Sequence, residues 1–231
     1  MDIKQKIYWL IQAGIDSFCC ETPCHKETGV ADSHPISSDT PATQQAQAFA
    51  IQADSLDHLN QQKKGFSLCS LSKTATHTLL GKGVVQPKLM CIMEMPDADS
   101  DKTGQCLAGA QGELFTKMMK AIHLDVDKEI YVTYLSPWRT PGNRALSEQE
   151  SALFVPFLKK EIQLVQPEKI LLFGSGVASA LIGPTTLAKA RGAWHAFEQI
   201  PTRVTLSLNA VKTTPQRKQA WDDLQQVEKL S

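Results

Sequence analysis

A glutamate follows an apolar run near the middle of the chain, where Pro87 to Asp97 reads PKLMCIMEMPD. The carboxylate of Glu94 could polarise a water molecule for attack on a substrate. Met93 and Met95 flank it, and methionine is a flexible apolar side chain that fills irregular gaps. The turn therefore places a carboxylate that could act in catalysis between two methionine side chains that would fill a pocket.

Two further segments carry ligand-binding chemistry. The sequence Phe173 to Gly176, FGSG, follows a predicted strand and offers backbone N–H groups at a helix N-terminus, which is a general anion site. A tight strand-to-helix turn explains the two glycines equally well. Cys19, Cys20, Cys24 and His25 carry metal-ligating atoms, but CCETPC lacks the two-residue spacing of common zinc pairs. Plain thiols are the simpler interpretation.

Composition narrows the class of protein. The 231 residues include 24 basic and 24 acidic side chains, so no excess positive charge is available for a sequence-independent grip on phosphate backbones. The apolar run Ile7 to Ile11 is too short for a signal-peptide core, and no window approaches the ~20 apolar residues of a membrane helix. The six cysteines show no spaced framework. We expect a cytoplasmic protein with reduced thiols.

The chain divides into three parts by composition. Residues 1–23 form an amphipathic segment that we expect to bind a partner protein. Residues 24–50 are rich in Ser, Thr, Pro, Gln and Asp, which predicts a disordered linker. Residues 51–231 are expected to form the folded domain, with enough length for one hydrophobic core.

Helical and strand patterns alternate through this domain. The alternation predicts a three-layer α/β/α fold with a central, mostly parallel, four-stranded sheet. Ligands of such sheets bind beyond the carboxyl ends of the strands. The predicted helices lie near 51–63 and at 109–122, 147–165, 175–182 and 216–229, and the predicted strands at 88–93, 130–135, 169–173 and near 203–208.

From Cys69 onward the chain resembles the family 4 uracil-DNA glycosylases. The resemblance rests on the order and spacing of several segments, none of them specific alone. They are GKGVVQPKLMCIMEMPDADSDKTG, GAQGELFTKMMKAIHLD, IYVTYLSPWRTPGNRALSEQE, KEIQLVQPEKILLFGSGVASALIG, RGAWH and RKQAWDDL. The resemblance implies a uracil-DNA glycosylase-like fold with a base-binding pocket at the strand ends.

The resemblance also places the pocket residues, and most of them depart from the family. The family turn Gly-Glu-x-Pro-Gly keeps only Glu94 and its proline here. Leu107 replaces a stacking phenylalanine and lacks a flat π-face. Tyr134 replaces the asparagine that reads the uracil edge. Ser207 replaces the histidine that stabilises negative charge on uracil. We therefore expect a degenerate pocket with no catalytic residues.

The family's iron-sulfur cluster shows the same kind of departure. Its four cysteine positions fall on Phe66, Cys69, Trp138 and Leu153, and one thiolate cannot hold a cluster that needs four. We expect no cofactor and no metal.

The N-terminal stretch YWLIQAGIDSFCCETP resembles the partner-binding peptide of the psi subunit of the bacterial DNA polymerase III clamp loader. Psi proteins have a degenerate glycosylase-like fold. The resemblance implies that clamp-loader ATPase subunits and a chi-like subunit are partners, with single-stranded-DNA-binding protein reached indirectly, weak or indirect DNA contact, and no membrane. The implied partner-binding residues are Ile7, Tyr8, Leu10, Ile11, Ile15 and Phe18.

The leading hypothesis from sequence is thus a noncatalytic psi-like subunit that bridges the clamp loader to a chi-like subunit in DNA replication. One alternative is a divergent uracil or deaminated-base DNA glycosylase of base excision repair that uses Glu94. Another is a noncatalytic DNA-binding remnant of such an enzyme. The N-terminal segment could also simply pack on its own domain.

Overall fold

A computed structural model describes residues 41–230. The six predicted partner-binding residues, the whole N-terminal segment 1–23 and residues 24–40 of the predicted linker lie outside this range. All elements below belong to the described part of the chain.

A six-stranded sheet forms the centre of the fold, in the order β1-β3-β2-β4-β6-β5. Strands β3, β2, β4 and β6 are parallel, and the short β1 and β5 add antiparallel edges. The predicted α/β fold with a four-stranded parallel centre is confirmed, and the two edge strands enlarge the sheet to six. The strands are β1 Lys82–Gly83, β2 Leu89–Met93, β3 Ile130–Tyr134, β4 Ile170–Phe173, β5 His195–Phe197 and β6 Ile200–Thr205.

Helices cover both faces of the sheet. Helices α1, α2, α5 and α6 contribute buried residues to the core on one face, and α4 and α8 to the core on the other. The helices are α1 Pro41–Gln52, α2 Leu56–Gly65, α3 Ala98–Thr103, α4 Gly109–Ala121, α5 Glu148–Val165, α6 Ser175–Ile182, α7 Leu187–Arg191 and α8 Thr214–Lys229. Within residues 41–230, no helix is both long and apolar enough to cross a membrane.

Strand β2 shows why the sheet needs two helical layers. Met90 and Ile92 pack into one core, whereas Leu89, Cys91 and Met93 pack into the other. All five are buried, so the strand is a continuous apolar run, as expected for a parallel strand covered on both faces.

Helix α1 begins within the predicted linker. The linker was expected to extend to residue 50, but Pro41–Gln52 is helical and packs on α5. Thr43, Ala46 and Ala50 are its buried residues, and such small side chains allow close approach of two helices. Their small size also explains the boundary difference, because the sequence prediction relied on large apolar residues to recognise a packed helix.

Candidate functional site

The carboxyl ends of β2, β3, β4 and β6 meet at one edge of the sheet, which is where ligands of parallel α/β sheets bind. The turn after β2 carries Glu94, and the segment after β6 carries Ser207. Tyr134 is the last residue of β3, and α6 begins two residues after β4. The structure thus assembles the residues that the sequence assigned to a pocket.

Glu94 is held by partners from two distant segments. Its Oε1 accepts a hydrogen bond from the backbone N–H of Leu146 at 3.0 Å. Its own carbonyl accepts the N–H of Ser136 at 2.9 Å. Among residues 41–230, Oε2 has no side-chain or backbone hydrogen-bond donor. One carboxylate oxygen is therefore fixed, and the other is available to a water molecule.

Gly176 gives the Glu94 carboxylate its space. A Cβ at position 176 would lie 2.6 Å from Cδ of Glu94 and 2.8 Å from both carboxylate oxygens. Gly176 is in the first turn of α6, whose N-cap Gly174 provides no side-chain cap. A helix N-terminus favours negative charge, so the general anion site predicted at FGSG has the Glu94 carboxylate as its neighbour.

Tyr134 and Leu107 contact each other directly. The backbone N–H of Leu107 donates to the Tyr134 hydroxyl oxygen at 3.1 Å. Leu107 has a φ of +56°, an unusual conformation for a bulky side chain. Tyr134 is buried, and burial raises its pKa to about 12, so its hydroxyl is protonated at neutral pH. The tyrosine therefore stabilises the strained turn that carries Leu107.

Ser207 follows β6, so β2 and β4 lie between it and Tyr134 along the edge where the strands end. Its Cβ is 3.3 Å from where a Cβ on Gly174 would be, which places it against the start of α6. Two residues later, Asn209 accepts a hydrogen bond on Oδ1 from Nε2 of Gln111, at 2.6 Å. This bond joins the segment after β6 to the first turn of α4.

The two methionines of the turn have different surroundings. Met93 is buried in the core beneath the sheet edge. Met95 is half-buried, and its sulfur accepts a hydrogen bond from the Thr140 hydroxyl at 3.0 Å. Met95 therefore contacts the loop that follows β3.

That loop is fixed by a charged pair. Both terminal nitrogens of Arg144 donate to Glu150, at 2.7 and 2.6 Å. Hydrogen bonding to Arg144 lowers the pKa of Glu150 from 4.5 to about 2. Because Leu146 lies between the two paired residues, the pair holds the N–H that binds Glu94.

The positions that correspond to the family's cluster ligands lie in one apolar core. The ring of Phe66 packs edge-on against Phe157 with centroids 5.2 Å apart, and Trp138 packs against Phe154 at 5.6 Å. Burial raises the pKa of Cys69, the one thiol among the four positions, so it is protonated at neutral pH. These residues do not fit a cluster held by four thiolates. The remaining member, Leu153, is partly buried against the same core.

Metal ligands do not gather elsewhere in the described part of the chain, where no group of three or more His, Cys, Asp or Glu could hold an ion. The Cys19, Cys20, Cys24 and His25 segment lies outside that part.

A cleft of about 420 Å³ lies beside the Leu107 turn, between β1 and α4. Its lining includes Leu107, Lys82 and Phe115 but not Glu94, Tyr134 or Ser207. The cleft therefore adjoins the strand-end site at Leu107 but does not include its other residues.

The sequence assigned no role to three participants in this site: the Leu146 N–H, Gln111 and Asn209. Any residue type has a backbone N–H, so the sequence cannot mark Leu146 as a donor. Isolated polar side chains such as those of Gln111 and Asn209 follow no hydrophobic period. Gln111 and Asn209 are 98 positions apart in the sequence, and only their hydrogen bond in the structure relates them.

Comparison with known proteins adds a family. A model described as the uracil DNA glycosylase superfamily matches residues 80–225. The chain is 30% identical over 122 residues to a protein named type-4 uracil-DNA glycosylase from Sulfurisphaera tokodaii, which covers 52% of this chain and 55% of the relative. A protein of the same name from Archaeoglobus fulgidus is 26% identical over 151 residues, covering 63% and 75%, respectively. One from Thermotoga maritima is 24% identical over 139 residues, covering 59% and 72%. The chain thus spans about half of the first relative and about three quarters of the other two.

These comparisons contradict two expectations from the sequence. The expected role as a noncatalytic psi-like subunit of the DNA polymerase III clamp loader is wrong, because five matching relatives are named type-4 uracil-DNA glycosylase. The expectation that the chain is not an enzyme is wrong for the same reason. A short N-terminal likeness and several substituted positions are weaker indicators of function than a match along the folded domain. The partners predicted with that role stay a prediction.

Proposed function

The chain belongs to the uracil DNA glycosylase superfamily, and from this premise we propose that it is a DNA glycosylase that removes uracil or another deaminated base in base excision repair. The observation that carries the proposal is the Glu94 carboxylate, held at the strand ends by the Leu146 N–H and placed at the N-terminus of α6.

The chemistry that this arrangement supports is hydrolysis of the bond between sugar and base. Enzymes of this kind take the target nucleotide out of the duplex stack before reacting. The oxygen of a water molecule bonds to the sugar C1′, and the bond from C1′ to the base nitrogen breaks with its electron pair leaving on the base. Glu94 positions the water through its unpaired oxygen and takes its proton as a general base. The departing base is then protonated.

The identity of the base depends on the residues around Glu94. The buried Tyr134 and the half-buried Leu107 are joined by a hydrogen bond where the family resemblance places base recognition. A phenol offers one donor and one acceptor through a single oxygen, unlike the separate groups of an amide. Uracil, hypoxanthine and xanthine are therefore equally relevant substrates to test.

The test is release of these bases from oligonucleotides by the full chain, followed by alkaline cleavage of the abasic strand. We expect turnover of at least one base by the unmodified protein and a loss of about 100-fold or more in Glu94→Gln, since a general base contributes roughly that much. Glutamine keeps an oxygen that can accept the Leu146 N–H, so the loop should stay in place.

Glu168→Gln is the matched control. Glu168 is exposed and precedes β4, at the opposite edge of the sheet, so its substitution should leave turnover unchanged. A folded protein that releases none of the three bases would refute the proposed function. Equal rates in Glu94→Gln and the unmodified protein would refute the role of Glu94.

We place this activity in the cytoplasm as part of the proposal. The buried free thiols of Cys69 and Cys91 are compatible with a reducing compartment.

A further inference from the structure

Contacts between neighbouring segments form a closed circuit around the strand-end site. Backbone or buried groups make four of its links: Glu94 with Ser136, Tyr134 with Leu107, Ser207 with Gly174, and Gly176 with Glu94. The fifth link is the hydrogen bond from Gln111 to Asn209, and it is made by two side chains. It is also the most exposed link, since Asn209 is exposed and Gln111 is half-buried.

The Gln111 to Asn209 bond leaves specific groups unpaired. It uses one N–H of Gln111 and the side-chain carbonyl of Asn209. Within residues 41–230, the NH₂ of Asn209 and the carbonyl of Gln111 have no other side-chain or backbone partner. Two linked amides therefore present a donor and an acceptor at the rim of the site. An exposed bond of this kind contributes little to stability, so folding alone does not require it.

We propose that Gln111 and Asn209 act together as a specificity element that reads the edge of the target base. The complementary edge has a carbonyl next to a ring N–H, which uracil, hypoxanthine and xanthine share. The Asn209 NH₂ donates to the base carbonyl, and the Gln111 carbonyl accepts from the ring N–H. This inference rests on the proposed function.

The decisive variant is Asn209→Asp. Aspartate keeps an oxygen that can accept the Gln111 N–H but has no NH₂ to donate. A purely structural link would survive this change, whereas base reading would not. The added negative charge weakens DNA binding for every base alike, so the readout is the preference for a base with this edge over adenine, which has neither a carbonyl nor a ring N–H there.

A matched control pair exists at the opposite edge of the sheet. Gln86 donates through Nε2 to Oε1 of Gln166 at 3.3 Å, and both side chains are exposed. Gln86 precedes β2 and Gln166 precedes β4, so this amide pair lies at the strand N-termini. Gln166→Glu keeps the accepting oxygen and adds a charge far from the site.

The experiment measures kcat/KM for duplexes that carry uracil, hypoxanthine or xanthine. Equilibrium Kd is measured separately for the same duplexes and for a matched duplex with adenine in place of hypoxanthine. We expect Asn209→Asp and Gln111→Ala to lower the preference for hypoxanthine over adenine, given by the ratio of their Kd values, about tenfold, the discrimination typical of one paired base contact. Gln166→Glu should leave the ratios unchanged. Ratios that stay constant in both site variants would overturn the inference.

Failure of the proposed function gives a different result. If the unmodified chain binds these duplexes but releases no base, the glycosylase proposal fails, and the Kd ratios alone decide the role of the amide pair. Unchanged Kd ratios in Asn209→Asp then overturn it, and altered ratios support base reading without catalysis.

Discussion

At the scale of single residues, the structure explains how one carboxylate keeps a defined position without the usual small residues around it. The sequence identifies Glu94 but not its partners, because Leu146 is 52 positions away. The glycine that makes room for the carboxylate belongs to a different strand-to-helix turn. Gly176 therefore matters for the space it leaves beside Glu94. Its backbone conformation does not require glycine, because its φ is not positive.

Gly176→Ala should reduce activity without unfolding the protein. The new methyl group would overlap the Glu94 carboxylate and push it away from the Leu146 N–H. Alanine in a helix is more favourable than glycine by about 1 kcal/mol, so the melting temperature should stay level or rise. We expect base release to fall about tenfold or more while stability is kept, because small misplacements of a catalytic group are costly.

Gly65→Ala controls for the helix effect, since Gly65 ends α2 and nothing lies within 4 Å of its new methyl group. If both alanine variants are equally active, the space at Gly176 has no catalytic importance.

At the scale of elements, the loop after β3 connects stability to the site. Its Arg144 pairs with Glu150 in the first turn of α5, and Ser147 and Glu150 form a capping box there. The same short segment carries Leu146, the donor to Glu94. Any change that frees the loop should therefore also release one oxygen of the Glu94 carboxylate.

The Arg144 pair predicts a pH dependence of stability. The pKa of Glu150 is lowered from 4.5 to about 2 in the folded protein. A lowered pKa contributes stability above the unfolded-state value, and this contribution is lost as the pH falls through the folded-state value. Between pH 4.5 and 2, the free energy of unfolding should therefore fall less steeply in Glu150→Gln than in the unmodified protein.

Urea denaturation at several pH values measures this slope. Glu148→Gln is the control, because Glu148 is exposed in the same helical turn. Equal slopes in Glu150→Gln and the unmodified protein would show that the pair contributes nothing.

The predictability of these elements follows the size of their apolar side chains. Helices α4 and α6 and strands β2 and β4 agree closely with the sequence-based bounds, because each has a strong apolar pattern. Helix α1 differs because its buried residues are Thr43, Ala46 and Ala50. The short β1 and β5 were missed, since two or three residues carry no readable period. Sequence found the site residues on strand ends but not the hydrogen bonds among them.

At the scale of the whole molecule, an aromatic cluster joins helices α1 and α2 to helix α5. Phe66 directly follows α2. The centroid of its ring lies 6.4 Å from that of Phe49 in α1 and 5.2 Å from that of Phe157 in α5. Trp138 brings the loop after β3 into the same core. Because this loop also positions Leu146, the aromatic packing supports the layer on which the site depends.

Phe66→Ala should lower the free energy of unfolding by about 3–5 kcal/mol, the usual cost of replacing a buried phenylalanine with alanine. Phe66 is 2% exposed, and its ring contacts both α1 and α5. Its removal therefore leaves a cavity between α1, α2 and α5 that these helices cannot fill. Leu68→Ala is the control, since Leu68 is 45% exposed and should change stability by about 0.5 kcal/mol or less. A loss below about 1 kcal/mol in Phe66→Ala, measured by urea denaturation, would mean that α1 and α2 are not held to the domain by this cluster.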